Sequence, residues 1–229
     1  MTGVDGCRAG WIAIRRGDLV WRLYPTISAL WAVHARDAHI LIDIPIGLPE
    51  VGPRLTEAAA RQVLGARRSS VFSVPVRAAV YAESYPAGCA INAQRTGKKF
   101  SKQLWNIAPK IREVDALLHT EPSARTVLKE SHPEVVFWAL NGNVPLLHPK
   151  KTEAGYAERL VLLNRLLPDA AQVVEAGLRQ FKRAEVARDD LVDALALAAA
   201  ASIGRLKSLP DHPETDAAGL PMQIVYPEL

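Results

Sequence analysis

The sequence predicts an α/β protein with a mixed five-stranded sheet, flanking helices and an α-helical insertion after the fourth strand. Three apolar runs separated by turn residues open the chain, as in an antiparallel meander. A β-branched run at 39–44 is typical of a strand buried on both faces. Helical patterns fill most of the rest. We expect a single domain over 1–229, because this length and 49% hydrophobic residues suffice for one core.

Composition narrows the class of protein. The net charge of +4 and pI near 9.2 are compatible with a polyanionic partner. Cys7 and Cys89 lie in no metal or redox motif, which is typical of free thiols in a cytoplasmic protein. We expect no secretion leader and no membrane span, because the longest apolar stretch, 194–203, is too short.

The first eleven residues place a carboxylate between two predicted strands. Gly6 and Gly10 are turn residues, and Asp5 precedes them at the end of an apolar run. Asp5 is therefore expected at the mouth of a hairpin between strands one and two. A third strand is predicted at 20–24, followed by a helix that Thr26 caps and that runs to His34.

A second carboxylate ends the fourth predicted strand. Asp43 is followed by Ile44 and Pro45, and proline cannot continue a central strand. Asp43 is therefore placed at the carboxyl end of the strand, where open α/β sheets bind ligands.

The middle of the chain, about 48–122, is interpreted as the helical insertion. A helix is predicted at 54–64, with Pro53 in its first turn and Gly65 after its end. The loop 67–77 mixes basic, hydroxyl and aromatic residues, and Phe72 within it is expected to be a core or insertion contact and not a base-stacking platform. The section 84–112 is predicted as helical pieces broken at Pro86, Gly97 and Pro109.

The second half is predicted to be mainly helical. A strand at 125–129 leads to Glu130 and His132. Helices are predicted at 134–140, 152–167, 173–181 and 189–206, and a terminal strand at 222–226.

Three aspartates cluster at the start of the last helix. Asp189 and Asp193 are four residues apart, and Asp190 and Asp193 three, so either pair can share a face. Asp189 is interpreted as the helix N-cap, and Asp190 lies where the helix dipole favours carboxylates anyway. Asp193 is slightly preferred as a ligand.

The residue types favour a site for hard cations. Mg²⁺ and Mn²⁺ prefer carboxylate oxygens, and two ions about 4 Å apart can activate water in phosphodiester hydrolysis. Alanines after Asp193 would let the last helix lie close to the sheet and bring its acidic start towards Asp5.

Five segments of the chain resemble one family. They are G-V-D-G-C-R-A-G-W, D-I-P-I-G-L-P, R-x-S-S-V-F-x-V-P-x-R, E-S-H-P-E-V-x-F and D-D-L-V-D-A-L-A-L-A. In this order they are similar to domain of unknown function 429, a family of predicted nucleases with a ribonuclease H-like fold. The resemblance runs from Gly3 to about Tyr226. It implies three antiparallel strands followed by parallel ones.

The resemblance also implies roles for particular residues. Asp5 would bridge two metal ions, Mg²⁺ or Mn²⁺, with Asp43 holding one of them. Asp190 or Asp193 would hold the other, and Glu130 is the candidate additional ligand or base. His132 would orient a water or a phosphate, and nucleic-acid phosphates would be contacted by Lys151 and by Arg67 or Arg68.

Two other classes of protein remain open on the sequence alone. One is an ATPase-like protein whose loop from Asp5 to Gly10 cradles nucleotide phosphates through backbone amides. The other is a binding module that keeps the fold and a nucleic-acid or protein surface without turnover. The sequence indicates neither DNA nor RNA as substrate and does not define the oligomeric state.

Overall fold

The computed structural model describes residues 1–229. Its strands are β1 (Thr2–Cys7), β2 (Gly10–Arg15), β3 (Trp21–Tyr24), β4 (Ile40–Ile42), β5 (Leu128–Glu130), β6 (Leu206–Leu209) and β7 (Ile224–Pro227). Its helices are α1 (Ile27–His34), α2 (Leu55–Leu64), α3 (Arg77–Val80), α4 (Tyr85–Thr96), α5 (Lys102–Thr120), α6 (Ala124–Val127), α7 (Pro133–Leu140), α8 (Glu153–Asn164), α9 (Ala170–Gln180) and α10 (Arg188–Ser202). A 3-10 helix follows α2 at Gly65–Ser70.

The main sheet has five strands in the order β3-β2-β1-β4-β5. Neighbours among β1, β2 and β3 are antiparallel, whereas β4 is parallel to both β1 and β5. The α/β class and the ribonuclease H-like arrangement of three antiparallel strands followed by parallel ones are confirmed. The helices α2 to α6 lie between β4 and β5 in the chain, so the helices predicted after the fourth strand are confirmed as well.

Helices cover both faces of this sheet because its strands are apolar on both sides. Val4, Ile40 and Ile42 pack in one core with α1 and α5. Ile12 and Leu41 point to the other face and pack in a second core with α7 and α10. This burial on both faces explains the continuous apolar run of β4.

Helix α10 lies unusually close to β1 because both elements have small residues at the contact. A Cβ atom on Gly3 would lie 2.0 Å from the carbonyl oxygen of Ala194 and 2.2 Å from the amide nitrogen of Ala198. Residues 194, 196 and 198–201 of the helix are all buried alanines. The predicted close approach is present, and it brings the acidic start of α10 to the carboxyl end of β1.

The predicted position of Asp5 at a hairpin mouth is wrong in one respect. Strand β1 continues through Cys7, and Asp5 pairs with Ile12 inside the ladder. The glycine at position 6 adopts strand geometry, so the turn is made by Arg8 and Ala9 instead. Asp5 still lies beyond the end of the β1–β4 pairing, which stops at Val4 and Ile42.

Several predicted boundaries shift for identifiable reasons. Pro109 does not break a helix but lies on the exposed side of α5, whose other side is anchored by buried residues such as Leu104 and Ile111. Pro86 starts α4 rather than breaking it, since its missing amide costs nothing in a first turn. Gly97 ends α4 in a left-handed conformation, as predicted for a breaker.

The predicted strands differ most from the observed ones in the second half of the chain. Residues 125–127 form most of the short helix α6, and the strand begins only at Leu128. Leu206 does not end α10 but begins β6, which pairs antiparallel with β7 in a separate two-stranded sheet. Strand β6 was missed because L-K-S-L is short and follows directly on a helical pattern.

The cysteines and the hydropathy of the helices can be compared with the sequence predictions. Cys7 and Cys89 are buried free thiols, as predicted. None of the helices combines the length and hydropathy needed to span a bilayer.

Candidate metal centre

Three carboxylates from three elements meet in one cavity of about 380 Å³. Asp5 lies on β1, Asp43 follows β4, and Asp193 lies on α10. The amide of Asp43 donates to the carbonyl oxygen of Val4 at 3.1 Å, which extends the β1–β4 ladder by one bond. Asp43 is thereby placed beside Asp5 at the carboxyl ends of the two strands, while the glycine–alanine contact brings Asp193 against them.

The negative charge of each of the three carboxylates makes ionisation of the others less favourable. Burial raises the pKa of Asp5 well above its usual value, and the nearby charges of Asp43 and Asp193 raise it further. Burial likewise raises the pKa values of Asp43 and Asp193. Concentrated, desolvated negative charge of this kind stabilises no fold, and it is typical of functional sites.

Lys150 supplies the positive charge that the cluster needs. Its Nζ lies 2.6 Å from Oδ2 of Asp193 and 3.8 Å from Oδ2 of Asp189. The charges of Asp193, Asp5 and Asp43 together raise the pKa of Lys150, so its ammonium stays protonated among them. Lys150 is thus the cation that balances part of the negative charge of the carboxylate cluster.

The donor chemistry of this pocket fits a divalent cation. Asp193 is only 1% exposed, yet its Oδ1 has no hydrogen-bond partner. Carboxylate oxygens are the ligands that Mg²⁺ and Mn²⁺ select. No three acidic, histidine or cysteine side chains are arranged as one coordination shell in this structure. The ammonium of Lys150 neutralises Asp193 here, and a bound dication would replace it in that role.

The other two aspartates of α10 are placed differently. Oδ2 of Asp190 accepts a hydrogen bond from the amide of Ala187 at 2.8 Å, which caps the helix. Burial raises the pKa of Asp190 to about 6. The N-cap residue itself is Ala187, so the prediction that Asp189 is the N-cap is wrong. Both carboxylates line a neighbouring groove instead of the pocket.

Glu130 lies in the wall of the pocket, but both of its oxygens are engaged. Nη2 of Arg54 donates to Oε1 at 2.7 Å, and Nη1 donates to Oε2 at 3.0 Å. Oε2 also accepts from the amide of Ile46 at 2.7 Å. The geometry therefore makes Glu130 a buried anchor of the chain after β4, which holds the segment that follows Asp43.

Three of the four predicted substrate-binding residues line the pocket: Arg67, His132 and Lys151. Nε2 of His132 lies 3.4 Å from the carbonyl oxygen of Ser70, and its Nδ1 is buried without a partner. Arg67 lies 3.5 Å from Glu134, whereas Lys151 is exposed. Arg68 lines a separate shallow cavity beside α2, so the structure does not bring it to the carboxylates.

Sequence reasoning missed the basic residues that hold the acidic ones in place. Arg54 binds Glu130, Arg159 binds Glu134, and Lys150 binds Asp193. Arg54 and Arg159 are at most 2% exposed, although arginine in a helical pattern normally indicates a solvated face. For Lys150 the chain offers no signal, because Lys151 beside it has the same chemistry and faces solvent.

Fold and site together define an α/β protein whose mixed sheet presents a buried carboxylate cluster at the ends of its two central strands. The chain belongs to the DUF429 family, described as a protein of unknown function, whose profile matches residues 3–215. No curated protein and no solved structure matches the chain.

Proposed function

We propose that this protein is a metal-dependent nuclease that hydrolyses phosphodiester bonds at the pocket of Asp5, Asp43 and Asp193. One observation carries the proposal: three carboxylates with raised pKa values converge in an open cavity, and one buried oxygen has no partner. Buried carboxylates are stable as a group only with compensating cations. Helix α10 packs against β1 at a glycine, so the backbone holds the three elements together.

Asp5, Asp43 and Asp193 would hold Mg²⁺ or Mn²⁺. A divalent ion in such a site supplies activation of water and stabilisation of the leaving oxygen. The amide of Gly6 donates to Oδ1 of Asp5 at 2.7 Å, which fixes the orientation of that carboxylate. The fit of the pocket to such an ion thus depends on carboxylates that the backbone already orients.

The basic residues around the pocket have separate roles. In the tautomer that has its proton on Nε2, His132 would donate to the carbonyl oxygen of Ser70, and Nδ1 would be left to accept a hydrogen bond from water. Lys151 and Arg67 lie in the cavity wall, where they can bind the phosphate. With the carboxylates neutralised by a dication, Lys150 would be free to leave Asp193 and bind the phosphate.

The alternative of a nucleotide-phosphate cradle receives less support. The amide of Gly6 is bonded to Asp5, and the amide of Ala9 donates to the carbonyl of Glu185 at 3.3 Å. These amides of the first turn are therefore not free to bind phosphate. A binding module without turnover remains the alternative that an activity measurement decides.

Hydrolysis of labelled DNA and RNA strands tests the proposal directly. We expect cleavage with Mg²⁺ or Mn²⁺ and none when EDTA removes the ion, because the carboxylates alone offer no electrophile. Strand binding without cleavage under either ion would contradict the proposal and favour the binding module.

Replacing Lys150 with methionine tests whether its ammonium and a metal ion compete for the same carboxylates. The Lys150→Met variant leaves Asp193 without its ion pair, so the metal-free protein should lose roughly 1–3 kcal/mol of unfolding free energy. Because the ammonium no longer competes, Mn²⁺ should raise the unfolding temperature more in this variant than in the wild type.

Lys151→Met is the matched control, since Lys151 is exposed and makes no ion pair. Thermal unfolding with and without Mn²⁺ measures both quantities. Equal Mn²⁺ shifts in the wild type and in Lys150→Met would show that the ammonium and the ion do not share the cluster.

A further inference from the structure

A large groove continues directly from the carboxylate pocket. It has a volume of about 1280 Å³ and runs between the β1–β2 turn, helix α5 and the connection from α9 to α10. The groove and the pocket share part of their walls, notably Lys110, Lys150 and Lys151. The groove therefore adjoins the pocket that holds the carboxylates.

Six cations and four carboxylates line the groove, so its wall has a net positive charge, and we call it the basic groove. Arg8 on the β1–β2 turn, Lys151 before α8 and Arg183 before α10 are exposed and form no ion pair. The other three cations are engaged: Lys150 binds Asp193, Arg188 binds Glu153 at 2.6 Å, and Nζ of Lys110 donates to the carbonyl oxygen of Gly10 at 2.5 Å. Three unpaired positive charges thus lie in the wall of the groove, and one of them, Lys151, also lines the carboxylate pocket.

An exposed aromatic ring lies in the wall of the carboxylate pocket, outside the basic groove. Phe72 lines the pocket and is 42% exposed, so the expectation that it is a core or insertion contact is wrong. It follows Val71, which is buried and packs with α2 and α7. The loop therefore anchors Val71 and presents the next ring to solvent, where it makes no contribution to the core.

We infer that the substrate is a single-stranded nucleic acid, with its backbone in the basic groove and an unpaired base on Phe72. This inference rests on the proposed nuclease function and adds the substrate class. A positive track combined with an aromatic platform is how proteins hold single strands, because every base has a face that can stack. A base inside a duplex already has both faces stacked, so a side-chain ring at the pocket offers it nothing.

Fluorescence anisotropy with Ca²⁺ in place of Mg²⁺ tests this assignment on the full chain. The probes are a labelled thymidine 20-mer and a 20-base-pair duplex. We expect the wild type to bind the single strand more tightly than the duplex. Phe72→Ala should weaken single-strand binding about tenfold and leave duplex binding unchanged.

The double variant Arg8→Ala/Arg183→Ala tests the backbone track. Loss of two phosphate contacts should lower the slope of log affinity against log salt by about 1.4 for a single strand. Val161→Ala and Arg36→Ala are controls, since both residues are exposed and lie outside the groove and the pocket. Arg36 precedes β4, at the opposite end of that strand from Asp43.

Three outcomes would overturn the inference: no binding of either probe, tighter binding of the duplex, or a Phe72→Ala variant that behaves like Val161→Ala. None of these outcomes tests the proposed nuclease activity itself, because Mn²⁺ binding and strand cleavage are measured in separate experiments. A protein that cleaves with Mn²⁺ but prefers the duplex keeps its function and loses this substrate class.

Discussion

Replacing Asp5 with asparagine is expected to abolish Mn²⁺ binding while raising the unfolding temperature of the metal-free protein. Asp5 is buried, and Asp43, Asp193 and Asp190 all raise its pKa, so its charge opposes folding. Asparagine keeps the shape and the oxygen that accepts from Gly6 but removes the charge. The stability gain follows because a buried like charge is lost, and roughly 1 kcal/mol corresponds to about 2–4 °C in a chain of this length.

The same substitution should lower metal-dependent cleavage by at least about 100-fold, because one of the three carboxylates that would hold the ion is lost. Calorimetric Mn²⁺ titration, thermal unfolding and the cleavage assay give three independent readouts. Asp211→Asn is the matched control, because Asp211 is exposed and forms no hydrogen bond or ion pair. A folded Asp5→Asn protein that still binds Mn²⁺ as tightly as the wild type would contradict the assignment.

The second large effect is expected at Gly3, where an alanine should strongly destabilise the protein. The added Cβ would lie 2.0 Å from the carbonyl oxygen of Ala194 and 2.2 Å from the amide nitrogen of Ala198. Both atoms belong to the backbone of α10, so no side-chain rotation can relieve the overlap. Overpacking usually costs about 1–3 kcal/mol, and here the unfolding free energy should fall by more than about 3 kcal/mol.

Gly17→Ala is the control for Gly3→Ala, since nothing lies within 4 Å of a Cβ atom at that turn. Denaturant unfolding compares the two variants. In whatever fraction of Gly3→Ala folds, the displaced helix should also weaken Mn²⁺ binding, because Asp193 moves with α10. Equal stability of the two variants would show that the glycine contact does not set the position of the helix.

Much of this fold could be predicted because its signals are local. Turn residues between apolar runs define the meander, and the β-branched run at β4 indicates burial on both faces. The number and directions of the strands followed from the family resemblance and are confirmed. The end of α10 and the strand β6 were predicted wrongly, because the switch from helix to strand depends on pairing with β7, far along the chain.

Some residues of the candidate site could likewise be predicted from the sequence, and others could not. Asp5, Asp43 and Asp193 could be named from the sequence, since strand ends and helix starts are identifiable positions. Their cationic partners could not, because a pair such as Lys150 with Asp193 is made only when a loop folds back onto α10. Phe72 was predicted wrongly because an aromatic residue is more often found in the core. In the structure Val71 is buried instead, and the ring of the next residue, Phe72, is exposed.

Anomalous scattering from crystals grown with Mn²⁺ shows whether the three carboxylates bind a divalent cation. We expect at least one peak bounded by oxygens of Asp5, Asp43 and Asp193, with Nζ of Lys150 moved away from Asp193. Crystals without a peak there, in which Lys150 keeps its contact with Asp193 at saturating Mn²⁺, would contradict it.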